Sequence, residues 1–150
     1  MGDSTTPVVR FYVLNRVHDP VQRERFACEL VFRGVERGLG HIHLQVSDPR
    51  QAERLDTLLW TFRKESFIPH ALQTQAEDGE TVIIGDQPEA LSDDALLINL
   101  SPGVPSAWQA FRRVFEVVAQ APDVLEQTRA HFRHYQQAGV APEKHDVNTW

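Results

Sequence analysis

A candidate binding surface near the carboxyl end of the chain combines two arginines with an aromatic ring. Leu125, Arg129, Phe132, Arg133 and Gln136 recur at three- and four-residue spacing, so a helix would place them on one face. Guanidinium groups bind carboxylates through charge-assisted hydrogen bonds, and the ring offers an apolar contact beside them. This face fits an acidic peptide with an apolar end. The alternative is a solvated charged face with Phe132 tucked under its neighbours.

A second candidate surface lies in the segment "LLWTFRKESFIPH", residues 58–70. Trp60 is rotated by about 100° from the inward position predicted for Leu59, so its indole can face outward. Pro69 favours an extended backbone before it, in which Phe67 and the next residue point to opposite sides. The aromatic residues therefore either complete the core or form a surface for a partner.

Other reactive side chains do not assemble into a catalytic or metal site. His41 and His43 alternate on a predicted strand and share a face, but the pattern supplies no third or fourth ligand. Cys28 falls within a predicted helix without an identifiable base, as is typical of a small buried hydrophobe. The adjacent Asp93 and Asp94 precede a strand, where a solvated loop is the ordinary explanation. We expect no catalytic residue, no cofactor and no metal.

Nucleotide and nucleic-acid binding are also disfavoured by the sequence. The first predicted strand is followed by "NRVHDP", without the G-x-G-x-x-G fingerprint, and no phosphate-binding loop of the form GxxxxGK[ST] occurs. The formal charge is −6 and the isoelectric point is near 5.6, which disfavours a broad basic face for nucleic acid. We therefore expect no direct specific contact with DNA.

The length and composition predict one soluble, cytoplasmic domain. A chain of 150 residues suits a single domain spanning residues 1–150, with residues 1–6 and 140–150 as flexible or tail segments. One cysteine cannot form an internal disulfide, which fits a reducing compartment. No apolar run approaches the ~20 residues that a membrane span needs.

The elements that must position these residues begin with two strand–helix units. Residues 7–14 and 41–46 are apolar enough for buried parallel strands. Each is followed by an aspartate and a proline, Asp19 with Pro20 and Asp48 with Pro49, which suit the cap and first position of a helix. A glutamine three residues after each aspartate can reach back to the amide of the cap. Alternating units of this kind predict a three-layer α/β sandwich with a mainly parallel sheet, nucleotide-binding-like but without a phosphate loop.

The second half of the chain continues the pattern less regularly. We expect loops at residues 73–80 and 86–94, strands at 81–85 and 95–100, and helices from 106 to about 120 and from 123 to about 138.

The chain resembles the chi subunits of bacterial DNA polymerase III. The resemblance rests on "FYVL", on "QAERLDTLLW" followed by "ESFIPH", on "LLINL" and "FEVV", and on "HFRHYQQAG" with a terminal "NTW". These segments cover nearly the whole chain in order. The resemblance implies a non-catalytic clamp-loader accessory subunit in DNA replication; a small α/β enzyme that binds a nucleotide or metal is the alternative.

Two partners and their sites follow from the resemblance. The family binds the psi subunit of the clamp loader through aromatic residues that match Trp60 and Phe67 here. It also binds the acidic C-terminal peptide of single-stranded DNA-binding protein, which ends in proline and phenylalanine. The residues that match this second site are Arg129 and Phe132, and Arg133 keeps a basic neighbour beside them. Thr149 and Trp150 match the terminal motif of the family near the same pocket. Leu125 stands where the family often has a lysine.

Overall fold

The computed structural model describes residues 6–62, 68–77 and 79–150. Within these residues, the strands are β1 (Val8–Leu14), β2 (Ile42–Gln45), β3 (His70–Leu72), β4 (Val82–Gly85), β5 (Leu96–Asn99), β6 (Arg113–Val118) and β7 (Glu143–Val147). The α-helices are α1 (Pro20–Glu36), α2 (Pro49–Thr61) and α3 (Pro122–Gln137), and short 3-10 helices occupy Gln73–Gln75 and Ser106–Ala110.

The strands form a parallel sheet in the order β3-β4-β2-β5-β6-β1-β7. Side chains of β1 alternate between its two faces, so Tyr12 packs in the cluster that contains α1 and α2, and Phe11 packs in the cluster that contains α3. The predicted three-layer α/β sandwich with a parallel sheet is confirmed. Among the described residues, none of the helices has the length and apolar character needed to cross a membrane.

Local chemistry sets the starts of the first two helices. The carboxylates of Asp19 and Asp48 accept hydrogen bonds from the backbone N–H groups of Gln22 and Gln51, at 2.8 and 2.9 Å. These bonds satisfy amides that have no partner within the helix. The side chain of Gln51 differs from the prediction, since its Oε1 accepts from the backbone N–H of Ser47 at 2.8 Å rather than from the amide of the cap.

The predicted helix from residue 106 to about 120 is wrong. Only Ser106–Ala110 is helical, and Arg113–Val118 forms β6, which lies between β5 and β1. Val114, Val117 and Val118 are each at most 2% exposed. A short apolar run that is buried on both faces has no helical period, and β-branched residues favour a strand.

The prediction of a tail over residues 140–150 is wrong for Glu143–Val147, which form β7 on the edge of the sheet beside β1. The strand is mostly exposed and carries charged residues, so it shows none of the apolar alternation by which strands are usually recognised. Backbone pairing with β1 holds it in place. The other predicted flexible segment, residues 1–6, lies outside the described residues apart from Thr6.

After β7, Trp150 turns back over the α1 layer. Its ring centroid lies 5.2 Å from that of Phe26, edge to face, and the residue is partly buried against the core. The last residue of the chain is therefore part of the packing.

Replacing Trp150 with alanine is expected to lower the free energy of unfolding by about 1–3 kcal/mol, because an aromatic contact with the core is lost. Thr149→Ala is the matched control; its side chain is exposed, so the change should stay within about 0.5 kcal/mol. Urea denaturation of both variants gives the comparison. Equal stability of Trp150→Ala and the wild type would mean that the terminal residue is only a tail.

Candidate functional site

The outer face of α3 carries the predicted arginine and aromatic residues together. Arg129 and Arg133 are exposed one helical turn apart, and Phe132 is half-buried between them and the sheet. The Phe132 ring centroid lies 5.3 Å from that of Phe11 on β1. The structure therefore places two cations beside an apolar surface with a fixed position.

Strand β7 adds a third cation to this face. Phe11 and Lys144 are partners in the parallel pairing of β1 with β7, and neighbouring residues in a ladder project to the same side of a sheet. Lys144 therefore lies on the α3 side, and its side chain is 65% exposed, with Nζ 3.7 Å from Oδ1 of Asp146. Sequence reasoning missed Lys144 because it interpreted residues 140–150 as a tail. The alternation of strands and helices was the available signal, since it predicts a further strand after the last helix.

A buried hydrogen-bond network holds α3 on the sheet. Glu116 of β6 accepts hydrogen bonds from Tyr135 Oη at 2.6 Å and from Asn99 Nδ2 at 3.0 Å. Nδ1 of His131 lies 3.0 Å from the other carboxylate oxygen of Glu116, and Nε2 lies 2.7 Å from the carbonyl oxygen of Pro102. Every member of the network has a partner, as a buried polar cluster requires.

The protonation state of His131 follows from these partners. A carboxylate and a carbonyl can only accept, so both ring nitrogens must carry protons for both bonds to form. Burial opposes the charge, but the hydrogen bond and negative charge of Glu116 outweigh it, and the pKa of His131 is raised. Burial, followed by the charge of Glu116, raises the pKa of Tyr135 far above its usual range. An imidazolium and a neutral phenol therefore flank one carboxylate.

The second candidate surface is described in part. Trp60 is 57% exposed whereas its neighbour Leu59 is 2% exposed, which confirms the outward direction predicted for the indole. The Trp60 ring centroid lies 4.8 Å from that of His70, whose Nδ1 donates to the carbonyl of Ile68 at 2.7 Å. The indole thus rests on a buried ring that is itself fixed by the backbone. Phe67 lies outside the described residues.

The structure does not place Trp150 with the α3 face. Trp150 packs on Phe26 of α1, in the layer opposite α3, and Thr149 is exposed. The expectation that Trp150 lies near the pocket of Phe132 is therefore wrong. The sheet separates the two rings.

Cys28 and Asp94, whose side chains could in principle be reactive, lie in surroundings that give them structural roles. Cys28 is fully buried, and burial together with the charge of Glu24 raises the pKa of its thiol to about 12. Oδ1 of Asp94 accepts from the backbone N–H of Gly40 at 3.0 Å and from the hydroxyl of Ser92 at 2.6 Å, so this residue links the loop before β2 to the loop before β5. No group of three or more histidine, cysteine or acidic residues within the described ranges could hold a metal ion.

Comparisons with known proteins agree on one family. The family model described as "DNA polymerase III chi subunit, HolC" matches residues 7–143. A protein of Pseudomonas aeruginosa named DNA polymerase III subunit chi is 36% identical over 138 residues, covering 91% of this chain and 94% of the relative. The protein of the same name from Escherichia coli is 28% identical over 118 residues, covering 77% and 80%.

The His131 network predicts a pH dependence of stability. Because the folded-state pKa of His131 is raised, its contribution is fully present below the unfolded value of about 6.5 and is lost as pH rises through the folded value. His131→Gln should therefore flatten the decline of unfolding free energy above about pH 6.5. His134→Gln, at an exposed position on the same helix, is the control and should keep the wild-type slope. Parallel slopes for His131→Gln and wild type in urea denaturation at several pH values would contradict the imidazolium assignment.

Proposed function

The chain belongs to the DNA polymerase III chi subunit family, and from this premise we propose that it is a non-catalytic accessory subunit of the cytoplasmic replication machinery. It links the clamp loader, through the psi subunit, to the acidic C-terminal peptide of single-stranded DNA-binding protein. The protein acts by binding two proteins and makes no direct specific contact with DNA.

The outer face of α3 is the observation that carries the proposal. Exposed Arg129 and Arg133 flank the half-buried Phe132, and Lys144 lies across from them on β7. The protein as a whole has a formal charge of −6, so a local group of three cations is a departure from its average surface. Cations around an apolar patch complement a peptide that carries carboxylates and ends in an aromatic residue. Trp150 is not part of this site; its role is to pack on α1.

Trp60 supplies the second partner surface. Its exposed indole lies on α2, and α2 packs on the side of the sheet opposite α3. Large aromatic side chains fixed at a surface are the residues that most often dominate binding energy at interfaces. The separation of Trp60 from Phe132 by the sheet is compatible with simultaneous binding of psi and the acidic peptide, which is what a linking subunit requires. Phe67 is proposed as a second psi-binding residue on the family resemblance alone.

Removal of one arginine tests the peptide site. Hydrogen bonds to charged groups contribute about 1.5–3 kcal/mol, so Arg129→Ala should weaken binding of a labelled acidic peptide by about ten- to a hundredfold. Arg133→Ala should cost less, and its contribution should be lost first as salt is raised, if it meets only the solvated acidic stretch of the peptide. Fluorescence anisotropy at two salt concentrations measures both effects.

Arg50→Ala provides the control for this titration, since Arg50 is exposed on α2 in the opposite layer and its removal changes the net charge equally. Peptide affinity should be the same in Arg50→Ala and the wild type. Equal losses of peptide affinity in Arg50→Ala and Arg129→Ala would mean that the effect arises from net charge alone. An unchanged affinity in Arg129→Ala would reject the assigned site.

Removal of the Trp60 side chain tests the psi surface. Truncation of an interface anchor costs about 2 kcal/mol or more, so Trp60→Ala should weaken psi binding at least thirtyfold or so in calorimetry. Leu91→Ala is the matched control, because Leu91 is 59% exposed, close to the 57% of Trp60, but lies in the loop between β4 and β5. Both variants should melt as the wild type does. A large loss of stability in Trp60→Ala would show that the indole belongs to the core instead.

A further inference from the structure

His131 lies on the sheet side of the helical turn that carries the proposed peptide site. Its ring is buried, with Nδ1 3.0 Å from Oε1 of Glu116 and Nε2 2.7 Å from the carbonyl oxygen of Pro102. Phe132 is the next residue in the chain, and Arg129 lies two residues before His131. A movement of the imidazole therefore reaches the site through the backbone of a single turn.

A set of ring contacts connects the same site to the same carboxylate. Phe132 packs on Phe11, and the ring of Phe11 also meets that of Tyr135 edge to face, with the centroids 5.9 Å apart. The hydroxyl of Tyr135 donates to Oε2 of Glu116 at 2.6 Å. Close-packed interiors transmit displacements, so the position of the Glu116 carboxylate also influences the apolar floor of the site.

The geometry around His131 is satisfied only when both ring nitrogens carry protons. Loss of either proton turns a nitrogen lone pair toward an oxygen, either the carboxylate of Glu116 at 3.0 Å or the carbonyl of Pro102 at 2.7 Å. The buried carboxylate also loses its neighbouring positive charge, which is strongly unfavourable. Relief requires the ring or α3 to move. The neutral ring therefore does not preserve the setting of α3 that presents Arg129 and Phe132.

The groups around the ring leave His131 as the one that titrates near neutral pH. Among the described residues, Glu116 on β6 favours its protonation and Arg23 on α1 opposes it. Arginine keeps its charge, and the pKa of Tyr135 lies far above its usual range. The loop at residues 101–103 and the 3-10 helix carry no ionisable side chain. Charged and titratable groups farther from the ring are exposed to solvent and include Glu126, Arg129, Arg133, His134, Lys144 and Asp146.

We propose that His131 is a positioning residue that makes binding of the acidic peptide depend on a proton: α3 presents its site when both ring nitrogens are protonated and presents it poorly when one proton is lost. This inference rests on the function proposed above. Peptide affinity should therefore be high on the acidic side of the His131 titration and should fall as pH rises through it. Binding and protonation are linked reciprocally, so bound peptide must also make the ring hold its proton more tightly.

The first test follows the His131 ring directly in the wild-type, full-length protein. NMR of ring-labelled histidine, with the His131 signal assigned from its loss in His131→Gln, gives the midpoint of its titration. The midpoint should lie above the ordinary value of about 6.5, and a saturating amount of acidic peptide should raise it further. The exposed His134 provides the internal control, and its midpoint should change less. The result does not depend on how well any substitution is tolerated.

The second test measures affinity for an N-acetylated, labelled acidic peptide by anisotropy, from about pH 6.5 to about one unit above the His131 midpoint. The carboxylates of the peptide keep their charge over this range. Wild-type affinity should fall about fivefold or more, the lower end of typical coupling between two sites. His134→Gln should keep the wild-type profile. His131→Gln should bind weakly at every pH, whereas His131→Arg, with a permanent cation, should bind without pH dependence and more tightly than His131→Gln.

The outcomes separate this inference from the proposed function. A His131 midpoint that peptide does not move, together with a flat wild-type affinity, would overturn the proton dependence and leave the peptide site intact. Equal weakening in His131→Arg and His131→Gln, with the wild-type slope retained in both, would mean that His131 only fills space. Absence of peptide binding at every pH would overturn both this inference and the proposed function.

Discussion

The carboxylate of Glu116 is the point at which the sheet and the outer helix α3 are joined. It is 3% exposed and accepts hydrogen bonds from Asn99 of the neighbouring strand and from His131 and Tyr135 of the helix. A buried charge is tolerated only when it is fully paired, and loss of one partner of such a pair commonly costs about 3–5 kcal/mol. The network therefore permits one rotational setting of α3 and disfavours others.

That setting determines which residues reach solvent. His131 and Tyr135 are four residues apart and both point at Glu116, so the positions that flank them on the helix, Arg129 and Arg133, must point away from the sheet. Phe132 falls at the boundary and packs on Phe11. The binding face is thus a consequence of buried polar chemistry on the opposite side of the same helix.

Sequence reasoning succeeded where the determining chemistry is local. Asp19 and Asp48 with their prolines fixed the starts of α1 and α2, and the three- and four-residue spacing of Arg129, Phe132 and Arg133 was enough to put them on one face.

It failed where structure depends on distant parts of the chain. Strand β6 is buried on both faces and has no readable period, and β7 is ordered by pairing with β1 although its own residues are charged. The position of Trp150 and the contribution of Lys144 both depend on β7, so one missed strand accounts for both errors.

The pairing of β1 also bears on how the chain reaches this fold. Both of its neighbours, β6 and β7, come from the last third of the sequence, and Arg10 is the partner of Glu143. During synthesis, more than a hundred further residues must therefore be added before either edge of the apolar strand β1 is covered. Such long-range closure slows folding and leaves a hydrophobic strand accessible to other chains and to chaperones. A nascent chain that is released early would leave this strand uncovered. Its solubility would therefore depend on completion of the carboxyl-terminal strand.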